Sequence, residues 1–598
     1  MPYQTPVKDM QFLLNHAANF DAVRETGAFE DLSSDLVEAV LTEAGKLADN
    51  VFAPLNWDSD QNGARLENGQ VYTTPGFKEA YQQYVEGGWN ALGFSSEFGG
   101  QDMPQTLALM VFEALCAGCL SLAMGFSLTT GAAKALFASG TDEQKKLFLP
   151  KLVSGEWAGT MNLSEPQAGS DLANIKCKAE PVGDGRYKIK GTKIWISYGD
   201  HDLTENICHL VLARLPDAPE GTRGISMFLV PKYRVDEDGN VGERNDVTIV
   251  SIEEKLGQHG SPTCVMSYGE QDECFGTLVG KEHEGLKNMF VMMNAARIDV
   301  GTQGYAVGER SFQKAAEYAH DRPQGREYGV KSGPAIPIVQ HPDVRRNLMT
   351  MKALTDAGRA IGYASIVAYD VAHHSPDEET RRAAKEREEL LTPLSKAFPT
   401  ERVMEVTNLG IQIHGGMGFV EETGAAQFFR DSRISAIYEG TTGIQAIDLV
   451  GRKLGMGAGK LAYDFIEEAE ALAAALSGSG HDGLGSIGEN LQTALSGLKE
   501  TTRYMVAAMA EDPETGLTGA TPYLDQFGYV AGGYYLARSA FAAAGLAASG
   551  EDEPYHQGRI DVARFYAENL LPRATGLIPS VIAGKSTLPS ADSQLFSA

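Results

Sequence analysis

The feature that most constrains the fold is a change of hydrophobic periodicity, which occurs twice along the chain. From about residue 31 to 124 the apolar residues follow a helical spacing. Between about 160 and 278, short β-branched runs are bounded by Gly, Pro and Asp, as in strands. Helical spacing returns at 285 and continues to about 451, interrupted by a proline-containing stretch at 322–342. The pattern predicts a multidomain α+β protein in which a β domain lies between two helical domains.

Beyond residue 455 the composition shifts to alanine-rich helices, separated by a Gly- and Ser-rich stretch at 477–488. Tyr523, Phe527, Val530 and Tyr534 follow one another at helical spacing and form one apolar face, which is typical of a bundle core. We therefore expect an added helical domain. The predicted domains are 1–158 (N-terminal, helical), 159–282 (middle, β-barrel or sandwich), 283–455 (helical bundle) and 460–598 (C-terminal, helical).

Charge and composition exclude several classes of function. The chain of 598 residues has a formal net charge of −28, which leaves no excess of Lys and Arg to bind nucleic acid. The N-terminus lacks the pattern of a signal peptide, and no stretch approaches the roughly eighteen apolar residues of a membrane span. We therefore expect a cytoplasmic protein without an integral membrane segment. The six cysteines include the pair Cys116 and Cys119, which lacks the partners of a zinc site, so no metal is expected.

The residues Ile437 to Thr442, with the sequence IYEGTT, set one carboxylate, Glu439, in a short turn between two helix-like segments. Upstream, an amphipathic run at 394–411 leads to Gln412, Ile413, His414 and three glycines, whose bare backbone would let a phosphate approach. A carboxylate held in this way is a candidate proton acceptor beside a nucleotide cofactor. From these residues alone, a surface carboxylate near a helix start is the more common explanation.

Two further stretches fall in the β region. The stretch 161–171 (MNLSEPQAGSD) contains a Pro-Gly turn that would present hydroxyls and backbone N–H groups to oxygen atoms of a ligand. The stretch 191–197 (GTKIWIS) places Trp195 on a strand, where a large aromatic residue more often fills the core of a sheet. Arg297 and Arg322 are candidate cations for an anionic ligand, and each could instead be a solvated helix charge.

In this order and at this spacing, the stretches 161–171, 191–197 and 408–445 resemble the signature motifs of the acyl-CoA dehydrogenase family. The resemblance covers roughly residues 35–455, and the tail is similar to that of the long bacterial subgroup, which has an extra C-terminal helical domain. It implies FAD as cofactor and the α,β-dehydrogenation of an acyl-CoA thioester to the trans-2-enoyl-CoA. In that reaction Glu439 would remove the α-proton while a hydride passes from the β-carbon to the flavin.

The resemblance also implies a role for each matching position. Glu439 would be the catalytic base, and its backbone N–H would help to stabilise the thioester oxygen. The positions expected to bind the cofactor are Met161, Ser164, Ser170, Trp195, Ser197, Arg322, Gln412, Gly415, Gly416 and Thr441. The positions expected to bind the acyl-CoA are Ser170, Arg297 and Gly440.

The substrate, the electron acceptor and the assembly follow from the resemblance only in outline. Subgroup members act on 3-methylmercaptopropionyl-CoA from dimethylsulfoniopropionate breakdown or on medium- and long-chain fatty acyl-CoA in β-oxidation, and both substrates stay open. Electron-transferring flavoprotein is the expected acceptor, with oxygen, as in acyl-CoA oxidases, the alternative. The extra domain replaces one pair of subunits in the subgroup, which predicts a homodimer. A CoA-binding protein without turnover is the alternative from another class, and Glu439, Ser164, Trp195 and Gly415 together argue against it.

Overall fold

The structure, a computed structural model, describes residues 3–29, 32–481, 483–550 and 552–596. The chain forms two compact units. The first, which we call the mixed unit, comprises residues 3–7 and 32–299 among those described. The second, the helical unit, comprises residues 8–29 and 300–596. The long helix α9 (Gly285–Asp321) contributes residues to both.

Eight helices precede the main sheet along the chain. Thr141 and Gln144 form a capping box that starts the last of them. The helices are α1 (Val7–His16), α2 (Asp21–Arg24), α3 (Ser34–Leu47), α4 (Leu55–Asn62), α5 (Phe77–Glu86), α6 (Gln105–Gly118), α7 (Leu120–Ser139) and α8 (Asp142–Ser154). Among the described residues, α7 is the one helix with the length and composition of a membrane span, and 72% of its most apolar window is buried inside the protein. The expectation that no stretch approaches the length and composition of a membrane span was therefore wrong for α7.

The β region of the mixed unit contains a sheet of eight strands and two small hairpins. The strands are β1 (Arg65–Glu67), β2 (Gln70–Tyr72), β3 (Trp157–Asn162), β4 (Lys178–Gly183), β5 (Arg186–Ser197), β6 (Asn206–Arg214), β7 (Ile225–Pro231), β8 (Tyr233–Val235), β9 (Val241–Arg244), β10 (Val247–Ile252), β11 (Thr263–Tyr268) and β12 (Phe275–Val279). The main sheet runs in the order β10-β11-β5-β12-β7-β6-β3, and β4 pairs with both β5 and β6.

Strand β5 changes its pairing partners along its length. Its first half pairs with β4 and β12, and its second half, from Gly191 to Ser197, pairs with β11. Gly191 lies at the change of partner, where a Cβ atom would come within 2.9 Å of Cys177, so the close approach requires glycine. One apolar cluster, with Ile189, Phe228 and Met266 among its members, fills one side of the sheet. The change of partner therefore places the second half of β5, which carries Trp195, beside β11 instead of β4 and β12.

The helical unit is built on two long antiparallel helices, α10 (Pro342–His374) and α11 (Glu378–His414), followed by α12 (Ala425–Ser432) and α13 (Thr442–Ile447). Most of α10 from Asn347 to Val371 is buried, because it is packed on several sides. The stretch 322–341 between α9 and α10 has no α-helix, as its prolines predicted.

The C-terminal helices are α14 (Lys460–Ser477), α15 (Leu484–Glu511), α16 (Pro513–Thr518), α17 (Ala520–Ala548), α18 (Glu553–Phe565), α19 (Pro572–Gly576) and α20 (Ile578–Ile582). The prediction of a linker over 477–488 was wrong in its length, because α15 begins at Leu484. Gly488 is needed inside α15, since a Cβ there would come within 2.6 Å of the Ala473 carbonyl on α14. The four residues predicted to form an apolar face of α17 are all buried.

A buried charge cluster ties α1 and α18 to α10. Arg559 of α18 donates to Asp356 at 3.0 Å, and Arg359 donates to the same carboxylate at 3.0 Å. Lys352 donates to Asp9 of α1 at 2.7 Å. Since each buried charge has an opposite partner, the cluster offsets the cost of removing these groups from water. The predicted order of helical, β and helical regions is thus confirmed, while the exact domain boundaries stay predictions.

Candidate active site

The residues predicted to bind cofactor and substrate fall into two groups, one in each unit. Met161, Ser164, Ser170, Trp195, Ser197 and Arg297 lie in the mixed unit, and Arg322, Gln412, Gly415, Gly416, Glu439, Gly440 and Thr441 lie in the helical unit. Within each group, neighbouring segments are joined by hydrogen bonds that the sequence did not predict.

Trp195 projects from the sheet because β5 contains a bulge. Lys193 pairs with Met266 and Ile196 with Cys264, so that one extra residue of β5 is accommodated between them. The extra residue reverses the alternation of side chains, and Trp195 adopts a φ of 63° and is 58% exposed. A position in the sheet core, the more common place for Trp, is therefore excluded. An exposed aromatic face on a distorted strand can stack against a planar ligand.

A buried ion pair joins this bulge to the loop that carries Ser164. Lys193 has no exposed surface, and its Nζ donates to Glu165 Oε1 at 2.9 Å and to the Leu163 carbonyl at 2.9 Å. Glu165 also accepts from the backbone N–H groups of Lys176 at 2.6 Å and Cys177 at 3.0 Å. Burial raises the pKa of Glu165, but Lys193 and these backbone donors outweigh it, so the net pKa lies below its ordinary value.

A backbone hydrogen bond completes this connection. The N–H of Ile194 donates to the Ser164 carbonyl at 3.0 Å, which fixes the loop directly to the bulge. Met161 and Ser197 are half-buried at the ends of β3 and β5, and Ser170 is exposed in the loop that follows Ser164. The predicted cofactor residues of the mixed unit on β5 and on the Ser164 loop are thus held together by the bonds of Lys193 and by this backbone bond. We call the buried Lys193–Glu165 pair the clamp.

Arg297 is only 5% exposed, so it is not a solvated helix charge, which was the alternative interpretation. It lies on α9 two residues before Asp299, whose pKa burial raises to about 6 despite the opposing effect of Lys134. Glu113 of α6 is also buried in the same unit. Charged side chains that are buried in this way commonly belong to a functional site, and sequence reasoning had identified only Arg297 among them.

In the helical unit, α11 ends where the glycines begin. Gly415 has a φ of 61°, and added Cβ atoms at Gly415 and Gly416 would have no neighbour within 4 Å, so this backbone is open to a ligand. His414, the last helical residue, is buried, bonds through Nδ1 to the Gly410 carbonyl at 2.7 Å and stacks on Tyr318. Burial lowers its pKa, which favours the neutral ring.

Two predicted cofactor residues of this unit have exposed side chains. Gln412 lies in the last turn of α11, two residues before its end. Arg322 follows the last residue of α9, and its carbonyl accepts from the Ile338 N–H at 2.9 Å. That bond holds the start of the stretch 322–341 to its end, which places the guanidinium on a closed loop. Both side chains are accessible to a ligand.

Glu439 lies in a turn between a short 3-10 helix, Arg433–Ala436, and α13, as the sequence predicted. Its φ is 52° and that of Gly440 is 90°, so two successive residues adopt the left-handed conformation. This conformation costs a residue that has a Cβ atom roughly 1–2 kcal/mol, and such strain is concentrated at functional sites. The Glu439 side chain is half-buried. The Thr441 hydroxyl accepts from the Ile444 N–H at 3.2 Å and thereby caps α13.

Sequence reasoning missed the side chains that hold these segments. Lys193, Glu165, Lys396 and Gln303 are all buried and make their bonds to residues far away in sequence or to backbone groups. A weak signal existed for the two lysines. Lys396 interrupts an apolar stretch of α11, and Lys193 occupies an inward position of β5, where a charge requires a buried partner.

The described residues are compatible with a flavin cofactor. Trp195 offers an exposed aromatic face, and the loop beside it presents Ser164 and Ser170. The glycines after α11 offer unobstructed backbone to a phosphate group. Among the described residues, no group of three or more His, Cys, Asp or Glu side chains could hold a metal ion.

Comparison with known proteins covers almost the whole chain. Four domain families match in succession: acyl-CoA dehydrogenase N-terminal domain at 37–156, middle domain at 160–270, C-terminal domain at 283–454, and acetyl-CoA dehydrogenase C-terminal like at 464–592. The 3-methylmercaptopropionyl-CoA dehydrogenase of Ruegeria pomeroyi is 45% identical over 96% of each chain. A butyryl-CoA dehydrogenase of Syntrophomonas wolfei is 34% identical over 97% of each chain.

A solved structure shows the same fold. The acyl-CoA dehydrogenase of Bacillus anthracis complexed with FAD is 20% identical, with a TM-score of 0.72 over 97% of this chain and 91% of that one. The fold prediction of three family domains followed by an extra helical domain is confirmed. The chain belongs to the acyl-CoA dehydrogenase family, whose members are FAD-dependent oxidoreductases that act on acyl-CoA thioesters.

Proposed function

We propose that this protein oxidises an acyl-CoA thioester to the trans-2-enoyl-CoA, with Glu439 as the base that removes the α-proton. The observation that carries the proposal is the turn of Glu439. Its backbone is held in a strained left-handed conformation, while the carboxylate stays half-buried and accessible. Strain of this kind persists only where the surrounding structure enforces it, and the family membership of the chain supplies the reaction.

In this mechanism the chain's own residues orient the thioester and accept one proton. The Glu439 carboxylate takes the α-proton, and its backbone N–H donates to the thioester oxygen, where negative charge develops. Arg297 and Gly440 bind the acyl-CoA, and Ser170 contacts both ligands. FAD, when bound, supplies the acceptor for the hydride that leaves the β-carbon. Trp195 would orient the flavin ring by stacking, and the buried Lys193–Glu165 pair would hold the strand that carries Trp195 in place.

The remaining cofactor-binding residues are proposed from the family resemblance. Met161, Ser164 and Ser197 bind at the ring, and Gln412, Gly415, Gly416, Thr441 and Arg322 bind the rest of the cofactor. The support for this division is the open backbone after α11 and the accessible side chains of Arg322 and Gln412. The domain boundaries given above belong to the same proposal.

The first candidate substrate is 3-methylmercaptopropionyl-CoA, because the 45% identical relative is a 3-methylmercaptopropionyl-CoA dehydrogenase. This would place the enzyme in dimethylsulfoniopropionate catabolism. A straight-chain fatty acyl-CoA of β-oxidation is the second candidate, supported by the 34% identical butyryl-CoA dehydrogenase. Anaerobic flavin reduction by a panel of acyl-CoAs distinguishes them. The methylthio substrate and pentanoyl-CoA form a nearly isosteric pair, so a preference of the former over the latter would show recognition of sulfur.

Electron-transferring flavoprotein is the proposed electron acceptor, and oxygen the alternative. If the flavoprotein is the acceptor, enoyl-CoA should form much faster with electron-transferring flavoprotein present than with oxygen alone. Oxygen uptake at the rate of enoyl-CoA formation would identify an oxidase instead. Either result follows from one assay in which both quantities are recorded.

A cytoplasmic homodimer is the proposed assembly. In the helical unit, Met417, Val420 and Phe419 are exposed beside the glycines, and Phe419 is 89% exposed. Large apolar side chains that are exposed together commonly mark an interface. Light scattering should give the mass of two chains, and a stable tetramer would contradict the proposal.

The decisive test of the reaction is Glu439→Gln. We expect the variant to retain FAD but to reduce it about three orders of magnitude more slowly with acyl-CoA, which corresponds to about 4 kcal/mol of barrier. The control is Glu470→Gln, which neutralises a half-buried carboxylate of α14 that pairs with the exposed Lys499, and it should leave the rate unchanged. Rapid anaerobic bleaching of the flavin in Glu439→Gln would refute the assignment of the base.

A further inference from the structure

The residues on either side of Glu439 are each anchored by a buried side chain of a different helix. On one side, Lys396 of α11 donates its Nζ to the Gly440 carbonyl at 2.8 Å. On the other side, the Tyr438 hydroxyl bonds to Gln303 of α9. Lys396 is 0% exposed and Gln303 is also buried. Glu439 therefore lies between two fixed points.

A buried ammonium is an expensive choice at the position of Lys396. Removing such an ion from water costs several kcal/mol, whereas Met or Leu would fill similar space without that cost. What the ammonium adds is a charge-assisted bond to one backbone carbonyl, which is shorter and stronger than a neutral one. Gln445 donates to the same carbonyl at 3.3 Å, a longer bond from within α13.

The position of this carbonyl determines the conformation of the turn. Gly440 has a φ of 90°, a conformation in which a side chain would be strained, so this position favours glycine. Because the Gly440 carbonyl and the Tyr438 hydroxyl are both held by other helices, the backbone between them, which carries Glu439, is restrained. A third bond, from the Thr442 hydroxyl to Glu401 of α11, holds the start of α13.

We propose that Lys396 and Gln303 are positioning residues, which hold the Glu439 carboxylate and its N–H in the geometry for α-proton abstraction through Gly440 and Tyr438. The inference rests on the proposed role of Glu439 as the base. Because proton abstraction requires the base within hydrogen-bond reach, a displacement of about 1 Å can lower the rate on the order of a hundredfold. Binding of acyl-CoA requires no such accuracy of the carboxylate.

The test compares Lys396→Met and Tyr438→Phe with two matched controls. Lys453→Met removes a buried lysine that pairs with Glu389 in the same unit. Tyr523→Phe removes a buried hydroxyl that bonds to Thr502 at 2.8 Å in the C-terminal domain. Each purified holoenzyme is mixed anaerobically with acyl-CoA, and the rate constant of flavin reduction is measured per bound FAD over a range of substrate concentrations.

We expect the limiting rate constant to fall about a hundredfold in Lys396→Met and about tenfold in Tyr438→Phe. The half-saturating acyl-CoA concentration and the FAD content should stay within about twofold of the original enzyme. Substrate deuterated at the α-carbon should show a larger isotope effect in both variants, because proton abstraction becomes more rate-limiting. A purely structural role would lower the melting temperature and the FAD content of variants and controls alike, without changing the isotope effect.

The outcomes separate this inference from the proposed base. If Glu439→Gln abolishes reduction but Lys396→Met and Tyr438→Phe stay within twofold, the positioning proposal is overturned and the base remains. If Glu439→Gln reduces FAD normally, the proposed function itself fails. Should Lys396→Met yield no yellow protein, Tyr438→Phe decides, since it removes one hydroxyl and keeps the half-exposed ring.

Discussion

Removal of the lysine from the clamp beneath Trp195 offers the most direct test of how the mixed unit holds its cofactor residues. In Lys193→Met, the Glu165 carboxylate would lose its cation while it remains buried, with side-chain exposures of 0% and 3% in the original pair. Breaking a buried pair from one side costs about 3–5 kcal/mol. Glu165 keeps its bonds from Lys176, Cys177 and Gln167, so we expect the lower end, about 3 kcal/mol.

The assay is guanidinium unfolding of the apoprotein and the holoenzyme, followed by tryptophan and flavin fluorescence. Lys188→Met is the matched control on the same strand, because Lys188 pairs with Asp272 at 2.7 Å at the surface. An exposed pair of this kind contributes about 0–1 kcal/mol. The variant Lys193→Met should also bind FAD more weakly, because the Leu163 carbonyl loses its donor and the Ser164 loop loses its connection to the bulge.

A second substitution distinguishes stability from positioning. In the double variant Lys193→Met with Glu165→Gln, no charge remains buried, and the amide oxygen can still accept from the backbone N–H groups. We expect the double variant to recover roughly half of the lost free energy of unfolding but none of the lost affinity for FAD. If Lys193→Met lowers the free energy of unfolding by no more than the Lys188 control, and FAD binds normally, the clamp has no such role.

The same pair predicts a pH dependence of known sign. The pKa of Glu165 is lowered in the folded protein, so its contribution is present above the ordinary carboxyl pKa and is lost as the pH falls through the folded value. The difference in stability between the original protein and Lys193→Met should therefore be largest above about pH 5 and should narrow below about pH 4. A difference that grows on acidification would contradict the assignment.

Three further predictions concern the strain at Trp195 and the charge cluster of the helical unit. Trp195→Gly should stabilise the apoprotein by roughly 1 kcal/mol, because a φ of 63° suits glycine, and should weaken FAD binding, both measurable by thermal unfolding with and without FAD. No change in FAD affinity would exclude stacking. Arg559→Met should lower the free energy of unfolding by about 2–3 kcal/mol, because it removes a buried partner of Asp356, and should increase proteolysis of the C-terminal helices. Burial raises the pKa of Asp9, but Lys352 and Arg559 outweigh it and the net pKa is lowered, so Asp9→Asn should flatten the loss of stability below about pH 4. Unchanged acid unfolding in Asp9→Asn would refute that coupling.

The sequence predicted the order of regions and the turn of Glu439 because these depend on local patterns. The long helical periodicity of apolar residues predicted α9 to α11, and the prolines predicted the break before α10. The length of the stretch at 477–488 was wrong, because glycine and serine were interpreted as a linker. In the structure, Gly488 serves instead to bring α15 close to α14.

The exposure of Trp195 and the role of Lys396 could not be predicted from local patterns. The outward direction of Trp195 depends on one extra residue in the pairing of β5 with β11, and such a shift leaves no trace in the alternation of apolar residues before it. Lys396 meets the Gly440 carbonyl 44 residues later in the chain, a contact that only the packing of α11 creates. Sequence motifs therefore predicted the positions expected to contact ligands, but they did not predict the buried residues that hold those positions in place.

The packing of α17 determines what a shorter version of this protein would need. A Cβ at Gly528 would come within 2.6 Å of Phe398, and one at Gly532 would come within 2.9 Å of Ala357. Arg573 of α19 adds a bidentate bond to Glu405. A chain that ended after α13 would present Phe398, which lies within one turn of both Lys396 and Glu401, to water. Loss of the residues after α13 would therefore first expose apolar surface of the helical unit and promote aggregation. A shorter homologue would need another subunit to cover that surface.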